Sequence, residues 1–364
     1  MLSGNRLSKA AGSEDERRIY RGDHLLLFLE AALVRNDHLA LRGVPSGHIV
    51  MNKTKAQEII DRAMSDKVVY ATMAARENEV WGKILPALAQ SETSAADTKA
   101  SANLRAGRHQ ASLVQIAKER GLTFEKGLTL GCGAGRLERS LLKSRLCRSF
   151  HGVDISEKAI EEARDTAERD SLPLTYEVAD LNFLSLPLAT FDLVVAQTSL
   201  HHVLFLERVA EEVWRTLKPD GYLWIHDFIG ETQGQYDPER LTLVNQILAL
   251  LPEKLRLNQI NKKTATKVET PEPGRLGSPF EKIRSAEIVS VFARWFTIEW
   301  QGEFNSLLHM IAPPGTRIGY DENEDTRVIF EILALLDELC IAQGILRPTG
   351  GQYLMKPKPV DSLS

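Results

Sequence analysis

The sequence predicts an α/β fold: a parallel sheet with helices on both faces. Two observations carry this. From Leu128 onward, short apolar runs alternate with stretches of helical spacing, the pattern of strand-helix-strand units in a covered parallel sheet. The first of these runs, Leu128-Thr-Leu-Gly-Cys-Gly-Ala-Gly-Arg136, passes from an apolar strand through three alternating glycines into a helix. Gly131, Gly133 and Gly135 lack a Cβ, so the backbone can turn tightly and approach a ligand closely. The next helix, with Leu137, Leu141 and Leu142 on one face, directs free N–H groups back at the loop. A short glycine-rich run also occurs as a plain turn, so the residues beyond it must decide.

Taken in order, residues 1 to 20 are polar, and His24 to Val34 has the apolar content of a buried or partner-facing helix. Helical spacing continues through Ala56 to Met64 and Val68 to Leu88, with Trp81 as an anchor. Residues 91 to 103, small and polar, read as a linker. Leu113 to Lys118 is a helix that Gly121 is placed to end. Strands follow at Leu128 to Leu130, Phe150 to Val153, Leu174 to Val178, Phe191 to Ala196 and Tyr222 to Asp227, the last preceded by the turn Leu217-Lys-Pro-Asp-Gly221. Helices fall between them at Arg136 to Lys143, Glu157 to Glu168 and Val203 to Leu217. Asp237-Pro238 reads as an N-cap and first helical residue of a helix through Leu251. Residues 252 to 284 are rich in lysine, arginine, proline and glycine, as expected of an insertion with a long mobile loop over the ligand edge of the sheet. Ser285 can cap a helix carrying Ile288, Val289 and Phe292; Phe296 to Trp300 is a strand, Thr326 to Ala342 a helix, and Gln352 to Lys356 a last strand. The domain boundaries expected are 1–122 for a helical N-terminal region, 123–235 for the core, 236–294 for the lid insertion and 295–364 for completion of the sheet.

Length and composition narrow the function. The chain has 364 residues and a formal charge of −4, which gives no global pull toward nucleic acid. No apolar run reaches the roughly 20 residues that span a bilayer, and the first residues lack the apolar core of a secretory signal. Cys132, Cys147 and Cys340 are too far apart for a disulfide framework or a zinc motif. These features predict a soluble protein of a reducing, cytoplasmic compartment with no transmembrane segment and no nucleic-acid partner.

In a parallel sheet, ligands sit beyond the carboxyl ends of the strands. Asp154 ends the second strand about twenty residues past the glycine loop, where an acid can bind both hydroxyls of a ribose, and Ile155 follows it. Asp180 ends the third strand, where an acid can accept from an adenine amino group while Leu181 packs beside the ring. The fourth strand ends in Gln197-Thr-Ser-Leu-His-His202. A nicotinamide dinucleotide fold uses the same edge, but its fingerprint needs glycine or alanine where this chain has Arg136.

With these residues in place, residues 128 to 229 resemble the class I S-adenosylmethionine-dependent methyltransferases. The resemblance implies a Rossmann-like seven-stranded sheet, mostly parallel with an antiparallel last strand, here with a helical N-terminal extension and a lid insertion after strand five. It implies S-adenosyl-L-methionine as the cofactor. Gly131, Gly133 and Gly135 match the loop under the methionine part, Asp154 the ribose acid, Asp180 and Leu181 the adenine contacts, and Gln197 the point where strand four meets the cofactor. The runs SLHHV, LKPDGYLWIHDFIG, LALLPEKLR and IRSAEI look like a bacterial subgroup associated with glycan and natural-product biosynthesis.

Methyl transfer needs an acceptor lone pair aligned with the methyl group and a place for the acceptor's proton. His201 and His202 are the candidate bases, since imidazole titrates near neutral pH, and Asp227 at the end of strand five can orient one of them. Consecutive helical residues do not share a face, so one histidine rather than both is expected to act. His202, His226 and Asp227 lack the spacing of a metal motif, so no metal is predicted, although a divalent cation, as in some sugar methyltransferases, stays open. Ala196-Gln-Thr-Ser199 differs from the Asn/Asp-Pro-Pro-aromatic run of adenine and glutamine N-methyltransferases. The expected acceptor is a small molecule or glycan, anionic if Lys262 and Lys263 face it and bound by Gln233, Gln235 and Tyr236 from the lid. Base-assisted O-methylation is the leading reading. N-methylation of an amino sugar or small amine, and a non-catalytic cofactor-binding interaction protein that pairs with itself or a partner through its N-terminal helices, stay open.

Overall fold

The computed structural model describes residues 46–90, 99–100, 104 and 111–362, so the predicted helix at His24 to Val34 and most of the linker lie outside the described residues. Apart from residues 46–49, everything below lies in the compact unit Val50–Ser364. Its helices are α1 (Ser46–Ser65), α2 (Lys67–Gln90), α3 (Leu113–Glu119), α4 (Arg136–Lys143), α5 (Glu157–Arg169), α6 (Leu206–Thr216), α7 (Pro238–Leu250), α8 (Glu253–Arg256), α9 (Ile288–Trp295), α10 (Leu308–Ile311), α11 (Arg317–Tyr320) and α12 (Glu324–Ala342). Its strands are β1 (Phe124–Leu130), β2 (Cys147–Asp154), β3 (Leu174–Val178), β4 (Phe191–Gln197), β5 (Leu217–Phe228), β6 (Phe296–Phe304) and β7 (Gly350–Pro357).

These strands form one seven-stranded sheet in the order β3-β2-β1-β4-β5-β7-β6. The strands β1 to β5 pair in parallel, and β7 runs antiparallel to both β5 and β6. The mostly parallel sheet, the antiparallel last strand and the helical N-terminal region are as expected. Chain order reverses between β1 and β4, and such a reversal opens a crevice at the strands' carboxyl ends.

Alternation along the strands builds two core layers. Leu128, Leu130, Val194, Ala196, Leu223 and Ile225 pack with Val209 and Val213 of α6 and Phe292 of α9. Leu193, Val195 and Trp224 turn to the other face, against Ile116 of α3, Leu141 of α4 and Ile160 of α5. Local chemistry sets the helix ends. Ser112 and Ser156 cap α3 and α5 with their side chains, and Asn323 and Thr326 form a capping box on α12. Gly121, at φ +66, lets Leu122 N–H reach the Ala117 carbonyl at 2.8 Å and ends α3.

Four expectations change. Leu217-Lys-Pro-Asp-Gly221 is the first part of β5, accommodated by a register shift against β4, rather than a separate turn. The helix after β4 starts at Leu206, because Leu200–His202 takes a tighter 3₁₀ turn first. Ser285 opens a 3₁₀ turn and donates its hydroxyl to the Gly230 carbonyl, while Glu287 occupies the N-cap position of α9. The insertion expected to be a long mobile loop contains α8, a bridge between Leu257 and Thr264, and a packed end. There Phe280 and Ile283 are each 1% exposed and join Ile60, Ala63, Tyr70 and Leu204 in a separate core cluster.

Arg284 clamps that packed end. Its guanidinium donates to Glu207 of α6, to Glu287 and to the Leu204 carbonyl. Arg284→Leu should lower stability by about 2–3 kcal/mol, the scale of buried hydrogen bonds to charged groups; an unchanged urea midpoint would remove the clamp's role.

Glu138 of α4 is wholly buried, and neither carboxylate oxygen has a hydrogen-bond partner. Burial pushes its pKa up from 4.5 to about 7. Below the lower value both folded and unfolded chains hold the proton. Above it the unfolded chain releases the proton first, so stability should fall as pH rises toward 7, by roughly 3 kcal/mol in all. Glu138→Gln should flatten that slope between pH 5 and 8 in urea titrations, and an undiminished slope would assign it to other groups.

Candidate functional site

The glycine loop leaves β1 at the crevice. Gly131 has φ +69, and a Cβ there would lie 2.4 Å from the Ser199 Cβ, so only glycine permits this approach of the loop to the end of β4. Asp154 braces the loop: one carboxylate oxygen accepts from Gly133 N–H and the other from Ser156 N–H, each at 2.8 Å. Burial raises its pKa against the pull of those two N–H groups. Asp180 accepts from Asn182 N–H at 2.9 Å and from the Tyr70 hydroxyl at 2.5 Å.

One cavity takes its walls from Gly131, Gly133, Asp154, Ile155, Asp180 and Leu181, with Gln197, Thr198, Ser199 and His202 completing the β4 side. Gly135 is not on that wall. It starts α4 with φ +70, where a Cβ would lie 2.3 Å from the Tyr176 hydroxyl oxygen, so its place is in packing the loop onto β3. Thr198 sits at φ +53, an unusual conformation for a β-branched residue, with its N–H held by the His226 carbonyl at 2.7 Å.

The histidines lie beside this cavity, and His202 is on its wall. Asp227, 2% exposed, holds His201 Nδ1 at 2.5 Å and accepts from Ser199 and Leu200 N–H. Burial alone would discharge both groups. The charge and hydrogen bond between them outweigh it, raising the His201 pKa and lowering that of Asp227. His202 Nδ1 stands 2.9 Å from Glu77 of α2. Glu77 also accepts from Trp81, the Ser278 hydroxyl and Phe280 N–H, and despite burial its pKa stays below the usual carboxylate range. The two imidazoles do share a side, with ring centroids 4.1 Å apart, because the 3₁₀ turn and two separate carboxylates, rather than an α-helix, orient them. Glu281 faces both, 3.9 Å from His201 Nε2 and 3.6 Å from His202 Nε2.

Other expected contributors lie elsewhere. His226 points toward Phe304 and Gln352, and burial lowers its pKa. Gln233 and Gln235 bond to backbone of α1 and of residues 233, 271 and 274. Lys262 and Lys263 are exposed near the Leu257–Thr264 bridge, away from the cavity wall. Sequence reasoning missed Tyr70, Glu77, Phe280 and Glu281. The one local signal was Trp81, whose spacing of four from Glu77 puts both on one face of α2.

The residues present fit a nucleoside-bearing cofactor. The glycine cradle is free of side chains, and the oxygens of Asp154 and Asp180 keep lone pairs beyond those already engaged.

Residues 128–225 match the family described as a methyltransferase domain. The mitochondrial arginine-hydroxylase NDUFAF5 of Rattus norvegicus is 38% identical over 109 residues, covering 30% of each chain. The ubiquinone biosynthesis O-methyltransferase of Coxiella burnetii is 32% identical over 97 residues, covering 27% of this chain and 41% of that one. The chain thus spans well under half the length of these curated relatives. A solved S-adenosylmethionine-dependent methyltransferase from Mesorhizobium loti is 18% identical, with a TM-score of 0.36, over 74% of this chain and 99% of that one. Among the described residues no helix is long and apolar enough to cross a membrane. Residues 128–225 therefore match a methyltransferase domain, and S-adenosylmethionine is the cofactor such a domain implies.

Proposed function

We propose that the chain transfers the methyl group of S-adenosylmethionine to an oxygen of a small polar acceptor, a sugar, glycan or natural product, with the His201–His202 pair assisting removal of the acceptor's proton. The observation that carries this reading is the single cavity in which Gly131, Gly133, Asp154, Ile155, Asp180, Leu181 and Gln197 stand across from His202 and Glu77.

The cofactor supplies an activated methyl on a sulfonium. The chain's own residues do the rest. Asp154 and Asp180 offer acceptors to the ribose and adenine, and the glycine loop lets the backbone come close. Asp227 and Glu77 engage the Nδ1 atoms and keep the proton there, so that each Nε2 presents a lone pair. A hydroxyl acceptor needs such a base, whereas an amine needs to arrive neutral and be aligned. The two imidazoles therefore favour oxygen over nitrogen as the methylated atom.

The curated relatives carry names of different chemistries, so the acceptor screen should span sugars, nucleotide sugars, phenols, amines and arginine peptides. Isothermal titration should detect S-adenosylmethionine binding, and Asp154→Ala should weaken it about 10- to 100-fold, the scale of two lost charge-assisted hydrogen bonds. With labelled methyl and a competent acceptor, His201→Ala or His202→Ala should reduce turnover about 10²- to 10⁴-fold while cofactor affinity changes little. Wild-type rates in both variants would sink the proton-removal role. Cofactor binding without transfer across the screen would favour the interaction-protein reading.

A further inference from the structure

We propose that His201 Nε2, His202 Nε2 and the Glu281 carboxylate bind a divalent first-row transition ion. The three ligand atoms lie within 4.8 Å of one another. His201 Nε2 lies 3.9 Å from Glu281 Oε1 and His202 Nε2 lies 3.6 Å from Glu281 Oε2, separations too long for hydrogen bonds. They are close to the ~3.4 Å edge of a tetrahedron whose centre-to-ligand bonds are ~2.1 Å, the usual length for imidazole and carboxylate on such ions.

The surroundings are those of a ligand set. Each imidazole has its Nδ1 engaged by a buried carboxylate, His201 by Asp227 at 2.5 Å and His202 by Glu77 at 2.9 Å. Carboxylate–histidine pairs of this kind fix the tautomer, aim the ring and raise its basicity toward a metal. His202 Nε2 is buried with no hydrogen-bond partner, an atom whose desolvation is otherwise uncompensated. Two imidazoles and one carboxylate suit zinc, manganese, iron or cobalt better than magnesium or calcium, which prefer oxygen. Three protein ligands also leave coordination positions open. His202 is on the cavity wall, so an open position there can hold the acceptor's oxygen.

The site's existence does not depend on the methyltransferase reading, but its role in holding the acceptor rests on it. Untagged full-length protein, stripped with chelator, should retain about one equivalent of added Zn²⁺ or Mn²⁺ after gel filtration, by elemental analysis. With Co²⁺ it should develop visible ligand-field absorption. Glu281→Gln and His202→Ala should each lose retained metal while keeping the wild-type circular-dichroism spectrum, and Glu77→Gln should weaken affinity about 10- to 100-fold. Metal retained equally by Glu281→Gln, or none retained by the wild type, would overturn the inference. Methyl transfer that is undiminished in chelator yet lost in His202→Ala would overturn the acceptor-holding role, leaving the histidines as bases and the methyltransferase reading standing. Metal binding in a chain that fails to bind S-adenosylmethionine would support the site and overturn the methyltransferase reading alone.

Discussion

The Asp227 carboxylate is the constraint on which the site depends. It is buried at the end of β5 and takes donors from His201 Nδ1 and from the N–H groups of Ser199, Leu200 and Phe228. An ionised group this deep persists only if its lone pairs are satisfied, and three of its donors belong to the segment that leaves β4. That segment is therefore drawn into a 3₁₀ turn against β5 instead of continuing as an α-helix. The turn in turn puts Ser199 where a Cβ on residue 131 would collide with it. One carboxylate thus sets the direction of a histidine and the need for glycine in the cofactor loop.

Glu77 performs a parallel task from outside the sheet. It gathers Trp81, Ser278, Phe280 N–H and His202 around one carboxylate, and so joins α2, the packed end of the insertion and the histidine turn. Tyr70 strengthens the same junction. Its hydroxyl reaches Asp180, and its ring packs on Phe183, Phe205 and Phe280 with centroids 5.1 to 5.7 Å away. α2 and the insertion are consequently parts of the cavity wall, coupled to each other through charge and aromatic contact.

The division between what was legible in the chain and what was not follows from range. Strand alternation, the glycine run and the acids after β2 and β3 are local patterns whose physics acts over a few residues, and they located the sheet and most of the cavity. Gly135 shows the limit even there, since its neighbour Tyr176 lies on another strand and no local pattern says which glycine faces a ligand and which faces an aromatic ring. Glu77 was marked only by Trp81 four residues on, and Glu281 had no local mark. Each gains its meaning only when folding brings it to the histidines. The insertion misled for the same reason: its prolines, glycines and lysines speak for mobility, while Phe280, Ile283 and Arg284 bind it down through partners far away in sequence.

Charge unites these features. Asp227, Glu77 and Glu281 surround two imidazoles, and the cation next in sequence, Lys282, places its ammonium 4.0 Å from the centre of the Phe228 ring, where burial lowers its pKa. A cluster with more carboxylates than imidazoles, largely shielded from water, attracts positive charge strongly because little solvent screens it. That requirement can be met by protonating the histidines or by binding a cation between their Nε2 atoms. Protonation leaves Glu281 beyond hydrogen-bond distance of both rings. A cation satisfies all three facing groups at once and keeps an open position beside the cofactor cavity, so the same arrangement that stabilises the buried acids also provides a place to hold an acceptor.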